Sequence, residues 1–277
     1  MNFFRPIQIR TLFFLLCFTV AHGQETSLSA TPARQPADRN SFHIYVLMGQ
    51  SNMVGRDTRG LDSQVDDPRI LALNADGQWV VAREPITPKV GNIAGGIGPG
   101  IPFASEIAKA MPPTVTIGLV GCAVGGTALK RWEKRGDLYG KAVERAKLAA
   151  QAGIVKGVLW HQGEADTGDQ KRAETYEVRL TQMFKDLRTD LGIPDLPIVV
   201  GQLGDFLALA PEKHPYRDTV RAAIKHMPAA LPHVGYADSA GLEHKGDKLH
   251  FTADAQREFG KRYARAMQQL APSISPK

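Results

Sequence analysis

His43-Ile44-Tyr45-Val46-Leu47-Met48-Gly49-Gln50-Ser51-Asn52-Met53-Val54-Gly55-Arg56 is the stretch whose reading decides the fold. Six residues of strand-forming, mostly apolar chain run straight into a Gly-Gln-Ser-Asn turn. A buried strand that stops at a small polar residue sets that side chain at the edge of the sheet. In open α/β sheets the carboxyl edge is where ligands bind. Ser51 then has two readings. Its compact hydroxyl suits a nucleophile activated by a neighbouring base, and it equally suits the N-cap of a helix. What the rest of the chain offers Ser51 has to decide between them.

Outward from this stretch, strand and helix patterns alternate. The first strand, Phe42–Met48, is followed by an irregular region from Gly55 to Gly100. Within it, Ile70–Asn74 and Gln78–Ala82 are short β-type runs around Ala75-Asp76-Gly77, and an Asp-Gly pair between such runs signals a hairpin. We read that hairpin as an insertion outside the parallel sheet. Gly91–Gly100 holds five glycines in ten residues, a loop near a site; no Lys follows at the spacing of a phosphate-cradling loop. Further along, helices are expected over Pro102–Ala110, Tyr139–Ala152, Ala173–Leu191, Arg217–Lys225 and Thr252–Leu270. Strands are expected over Val115–Val120, Val155–Trp160, Pro197–Gln202 and Val234–Ala237. Alternation of this kind indicates a parallel sheet with helices on both faces. No linker or internal repeat divides 41–272, so one domain is expected there.

Three of these strands run into polar or glycine-rich turns: Gly49-Gln50-Ser51-Asn52, Gly125-Gly126-Thr127 and His161-Gln162-Gly163-Glu164. In a parallel sheet these turns share one edge. Before the last helix, Asp247-Lys248-Leu249-His250 places an Asp and a His three residues apart. Asp247 could hold the imidazole of His250 in the tautomer that lets its other nitrogen face Ser51. Acyl transfer also needs donors aimed at the developing oxyanion. The N–H of Ser51, a glycine N–H from Gly125–Gly126 and the side-chain amide of Gln162 are the expected three.

With these residues in hand, the sequence resembles the SGNH hydrolase superfamily, and within it the sialate O-acetylesterase-like and carbohydrate esterase family 6 branch, which includes acetylxylan esterases. The resemblance runs from about Phe42 to Leu270. It implies a flavodoxin-like three-layer α/β/α sandwich and metal-independent removal of O-acetyl groups from sugars. It also implies roles: Ser51 as nucleophile, His250 as base, Asp247 as its orienter, and Ser51, Gly126 and Gln162 as the oxyanion hole, with Gly125 the close rival of Gly126. Gln50, Asn52 and Glu164 are expected to support the site, Glu164 by fixing Gln162 or the Ser51 turn. Gln162 stands where the broad superfamily has Asn, a feature the branch shares.

Two other function classes compete. His161, Glu164, Asp166, Asp247 and His250 are types that ligate zinc or manganese, but no two-histidine metal spacing is present; no cofactor is expected. A non-catalytic carbohydrate-binding protein would use Trp132, Trp160 and Tyr139 as stacking platforms, with Trp132 the one in a loop. His244 competes with His250 as base but lacks an Asp three residues before it. His43, His214, His226 and His233 read as surface or capping residues. Arg56 reads either as a contact for an acidic substrate or as a solvated side chain.

Composition sets the outer bounds. Hydrophobic content of 43% and charged content of 22% over 277 residues allow a large core. Met1–Gly23 carries Arg5 and Arg10, an apolar run Thr11–Val20, and Ala21-His22-Gly23 as a small-x-small cleavage site. This is the pattern of a secretory signal peptide, too short for a confident membrane span. Residues 24–40, rich in Pro, Ala, Ser and Thr, read as a flexible leader. Without the signal, 32 basic residues face 28 acidic ones, a net charge of +4. They are interspersed, so nucleic-acid binding is not expected, and because Leu16 before Cys17 is a poor match to a lipoprotein cleavage site, no stable membrane anchor is expected either. Cys122 is the only cysteine beyond Gly23, which excludes an internal disulfide in the processed chain. The expected partner is an acetylated carbohydrate, and the expected location is periplasmic or extracellular.

Overall fold

The computed structural model describes residues 1, 32–64, 66–88 and 95–270. The expected signal peptide (but for Met1), the first part of the leader, Gly91–Ala94 of the glycine run and the C-terminal residues 271–277 lie outside the described residues. A seven-stranded sheet has the order β3-β2-β4-β1-β5-β6-β7. Its strands are β1 Phe42–Gly49, β2 Ile70–Leu73, β3 Trp79–Val81, β4 Thr116–Gly121, β5 Ile154–His161, β6 Ile198–Gly201 and β7 Val234–Ala237. Every pairing is parallel except that of β3 with β2. The helices are α1 Ser51–Val54, α2 Gly100–Lys109, α3 Asp137–Ala149, α4 Gln170–Glu174, α5 Tyr176–Leu191, α6 Arg217–Ala230 and α7 Ala253–Leu270. α2 packs on α7, while α5 packs on α3 and α6. The expected three-layer α/β/α sandwich with a central parallel sheet is the architecture found.

Burial explains why β1 lies at the centre. Seven of its eight residues are buried, the mark of a parallel strand covered on both faces. After β1 the chain lays down β2 and β3 at one edge, returns to place β4 between β2 and β1, and then crosses to β5, β6 and β7 on the other side. The carboxyl end of β1 is therefore the point where strand order reverses, where a crevice opens in sheets of this kind. Gly49 allows the close approach of β1 to β5 there: at φ +126° it is in glycine's territory, and a Cβ would run into the backbone of His161.

Three expectations are corrected. The Asp76-Gly77 hairpin does join the main sheet, because Ile70–Ala72 pair in parallel with Ile117–Leu119. Its strands are short, so the alternating pattern that normally marks inclusion had no length to develop. The helix expected over Ala173–Leu191 is two helices. Asp169 caps the first by accepting from Arg172 N–H, and the two meet at Thr175, whose N–H (3.2 Å) and Oγ1 (2.7 Å) both donate to Lys171 O. The end of the expected leader is fixed rather than free. Pro32 bridges Val80, and Arg39 donates to Ala150 O (2.6 Å) and Gly153 O (3.2 Å).

Candidate active site

Ser51 is the first residue of α1 and is 5% exposed. It has no capping hydrogen bond to make, since α1 is preceded by Gln50 in the cap position. Instead its Oγ lies 2.9 Å from His250 Nε2. His250 Nδ1 lies 2.8 Å from Asp247 Oδ2. An ionised carboxylate only accepts, so Nδ1 carries the hydrogen and Nε2 is left as the acceptor for the serine hydroxyl. The three side chains form one line from carboxylate to imidazole to hydroxyl.

The loop that delivers His250 is built around Asp247. Asp247 Oδ1 accepts from the N–H groups of Leu249 (3.0 Å) and His250 (2.8 Å), and Lys248 turns the chain at φ +59°. Partial burial raises the Asp247 pKa, but these N–H groups and the imidazole outweigh it and hold the carboxyl well below its usual range. The same loop is tied to the serine turn by Asn52. Asn52 Nδ2 donates to Leu249 O (3.0 Å) and Glu164 Oε1 (2.6 Å), and Oδ1 accepts from Phe251 N–H (3.2 Å). Glu164 therefore fixes the Ser51 turn through Asn52, the second of the two expected arrangements. Its Oε1 also lies 3.3 Å from His161 Nε2. Burial alone would raise this carboxyl; the bonds to His161 and Asn52 carry it below its ordinary value.

Gln162 differs from its expected role. It is fully buried, and both amide hydrogens are directed inward: Nε2 donates to Asp166 Oδ2 (2.6 Å) and Thr127 O (3.0 Å), with Gln50 Oε1 at 3.3 Å. Its Oε1 accepts from Tyr176 Oη (2.9 Å). With two strong acceptors already taken, the amide has no free hydrogen for an oxyanion, and it holds the Gly125–Thr127 turn instead. Asp166, at i+4 from Gln162, belongs to this network and also accepts from Leu129 N–H. Tyr176 was invisible to sequence reasoning, since only tertiary packing brings its hydroxyl to Gln162.

Of the two glycines, Gly125 is the one against the nucleophile. A Cβ placed on it would lie 3.6 Å from Ser51 Cβ and would meet the Arg56 guanidinium, whereas one on Gly126 would meet nothing within 4 Å. Gly126 is needed for its φ of +69°.

The competing residues are placed elsewhere. His244 Nδ1 accepts from Gly246 and Lys248 N–H groups, and its ring packs edge to face with Phe206 at 5.4 Å. Trp132 and Trp160 are fully buried and pack edge to face at 5.5 Å, so neither is open to a sugar ring. Trp132 sits in a loop, but its Nε1–H donates to Thr127 Oγ1 and its ring is core. Among the described residues, no group of three or more His, Cys, Asp or Glu is arranged to hold a metal.

Comparison with known proteins adds four findings. Residues 41–269 match the family profile described as carbohydrate esterase, sialic acid-specific acetylesterase. A probable carbohydrate esterase of Arabidopsis thaliana is 36% identical over 241 residues, spanning 80% of this chain and 89% of the relative. A solved Arabidopsis thaliana structure superposes with a TM-score of 0.73 at 34% identity, covering 82% of this chain and 98% of that one. A carbohydrate acetylesterase structure from Xanthomonas citri superposes at 0.62 with 24% identity, over 82% of this chain and 56% of its own, and shows the fold.

Proposed function

The chain belongs to the carbohydrate esterase, sialic acid-specific acetylesterase family, and from that premise we propose that it releases acetate from an O-acetylated carbohydrate through an acetyl-enzyme on Ser51. The observation that carries this reading is the continuous Asp247–His250–Ser51 line, with 2.8 and 2.9 Å between its heavy atoms. Ser51 Oγ attacks the acetyl carbonyl as His250 Nε2 takes its proton. Asp247 stays ionised and stabilises the imidazolium. The oxyanion rests on backbone N–H groups of Ser51 and of the Gly125–Gly126 turn, and each such donor is typically worth ~3–4 kcal/mol of barrier. Collapse expels the sugar hydroxyl, which takes the proton from His250. Water, activated by the same imidazole, then frees acetate and regenerates Ser51.

Ser51→Ala should abolish 4-nitrophenyl acetate turnover while the melting temperature and circular dichroism stay near those of the parent. Retained turnover in that variant would sink the mechanism. Export is part of the proposal and is supported by the Met1–Gly23 pattern. The protein recovered outside the cytoplasm should begin just after Gly23, and an unprocessed cytoplasmic chain is the opposing result.

A further inference from the structure

His161 is a buried ionisable residue that the proposed chemistry leaves without a task. It ends β5 at 1% exposure, just before the turn that carries Gln162 and Glu164. Its Nδ1 lies 3.2 Å from Tyr263 Oη, and that hydroxyl, on α7, donates to Trp160 O at 3.0 Å. The rings of Phe251 and Phe259 pack edge to face on the imidazole, with centroids 5.8 and 5.4 Å away. On the side of β6 the room is made by Gly201, where a Cβ would run into Tyr263 Oη and His161 Nδ1. A ring wedged in this way turns only by leaving a buried polar atom unpaired, which is penalised.

That orientation aims Nε2 at Glu164 Oε1, 3.3 Å away. Burial raises the Glu164 pKa, but the bonds to His161 and Asn52 bring it below its ordinary value. The group is then a carboxylate, which only accepts, so Nε2 carries the hydrogen and donates. His161 Nε2 and Asn52 Nδ2 meet on the same oxygen, and Oε2 has no hydrogen-bond partner among the described residues. Two connections run from here to the catalytic base. Asn52 Nδ2 also donates to Leu249 O, which fixes the residue before His250. Phe251, whose ring touches the imidazole of His161, is the residue after it. His250 is thus held between two neighbours that both lead back to His161.

Resting on the serine-esterase reading, we propose that His161, oriented by Tyr263, is a positioning residue whose Nε2–H holds Glu164 so that the Asn52–Leu249–Phe251 frame keeps His250 in reach of Ser51. Neither His161 nor Tyr263 touches the substrate. A misplacement of about 1 Å near a reacting centre can cost about 10²-fold in rate, so a loosened frame shows in kcat.

The test is a set of variants assayed on 4-nitrophenyl acetate. His161→Leu should lower kcat by about 10–100-fold with KM little changed. His161→Gln, which can bring an amide N–H close to the place of Nε2, should recover most of that loss, and Tyr263→Phe should show part of it. Combined with Glu164→Gln, His161→Leu should add little to the larger single loss, because residues acting through one another are not additive. Additive losses overturn the proposal, as does parental kcat in His161→Leu or a loss confined to KM. A His161→Gln variant no better than His161→Leu overturns it too, since ring packing rather than the donor would then matter. If the variants fail to fold, histidine ¹⁵N NMR of the parent decides: His161 Nε2 should appear as a protonated nitrogen at neutral pH, and a bare Nε2 overturns the proposal. Retained turnover in Ser51→Ala would strike the serine mechanism instead, while the His161 donor is still read from its nitrogen shift.

Discussion

At the residue scale, Asn52 has more to do than its neighbour Ser51 implies. It joins the nucleophile turn, the buried Glu164 carboxylate and the loop that carries His250. Asn52→Ala strands the Phe251 N–H and part of the Glu164 carboxylate in a buried site, at a cost of about 1–3 kcal/mol. Thermal unfolding should register that loss, and kcat should fall with it as His250 loses its fixed distance to Ser51. Gln162 gives a sharper discrimination. Held by Asp166, Thr127 and Tyr176, its loss in Gln162→Ala should lower the melting temperature by an amount equivalent to roughly 3 kcal/mol, since a buried carboxylate is left short of a donor. A direct oxyanion donor would behave differently, with kcat down ~10²–10³ and an unchanged melting temperature. Between the two glycines, Gly125→Ala should damage turnover more than Gly126→Ala, because only its new methyl would push on the Arg56 guanidinium and come into contact with Ser51. Steady-state kinetics on 4-nitrophenyl acetate decides the order.

At the element scale, the entry to α2 holds an ionisable group that the sequence did not single out. Glu84 is buried, and its carboxyl is pushed up to about 8 by burial, against the pull of N–H groups at Ile86, Gly98 and Ile101. The folded pKa lies above that of the unfolded chain, so the folded state holds the proton longer. Stability is then full at low pH, falls as pH rises through the ordinary carboxylate range, and levels off above about 8. Glu84→Gln should flatten that fall in thermal melts taken across this range; a slope equal to the parent's would mean the carboxyl is ionised in the fold without penalty. The β2–β3 hairpin belongs to this scale too. Its Asp76-Gly77 turn was legible because turn chemistry is local, whereas its place beside β4 depends on register with Ile117–Leu119. The break at Thr175 was hidden for a related reason: apolar periodicity carries across it, and Thr175 N–H still bonds to Lys171 O as a helical residue would.

At the scale of the whole molecule, one reversal of strand order at β1 gathers the site from distant parts of the chain. The chemistry proposed here uses hydroxyl, imidazole and backbone amides, so acetate release should continue unchanged after dialysis against EDTA; a loss restored by a divalent cation would favour the metal reading instead. The strand-ending turns, the Asp247/His250 spacing and the βα alternation were all readable from the chain. Each is a local pattern, and the apolar runs between them state which strands are covered on both faces. Tertiary structure alone decided which histidine meets Ser51, 199 residues away, and that the Gln162 amide turns inward rather than towards a substrate. It alone set Arg56 beside the nucleophile. Local order follows from residues a few positions apart, whereas the direction of a hydrogen bond depends on whatever acceptor the folded chain brings within 3 Å.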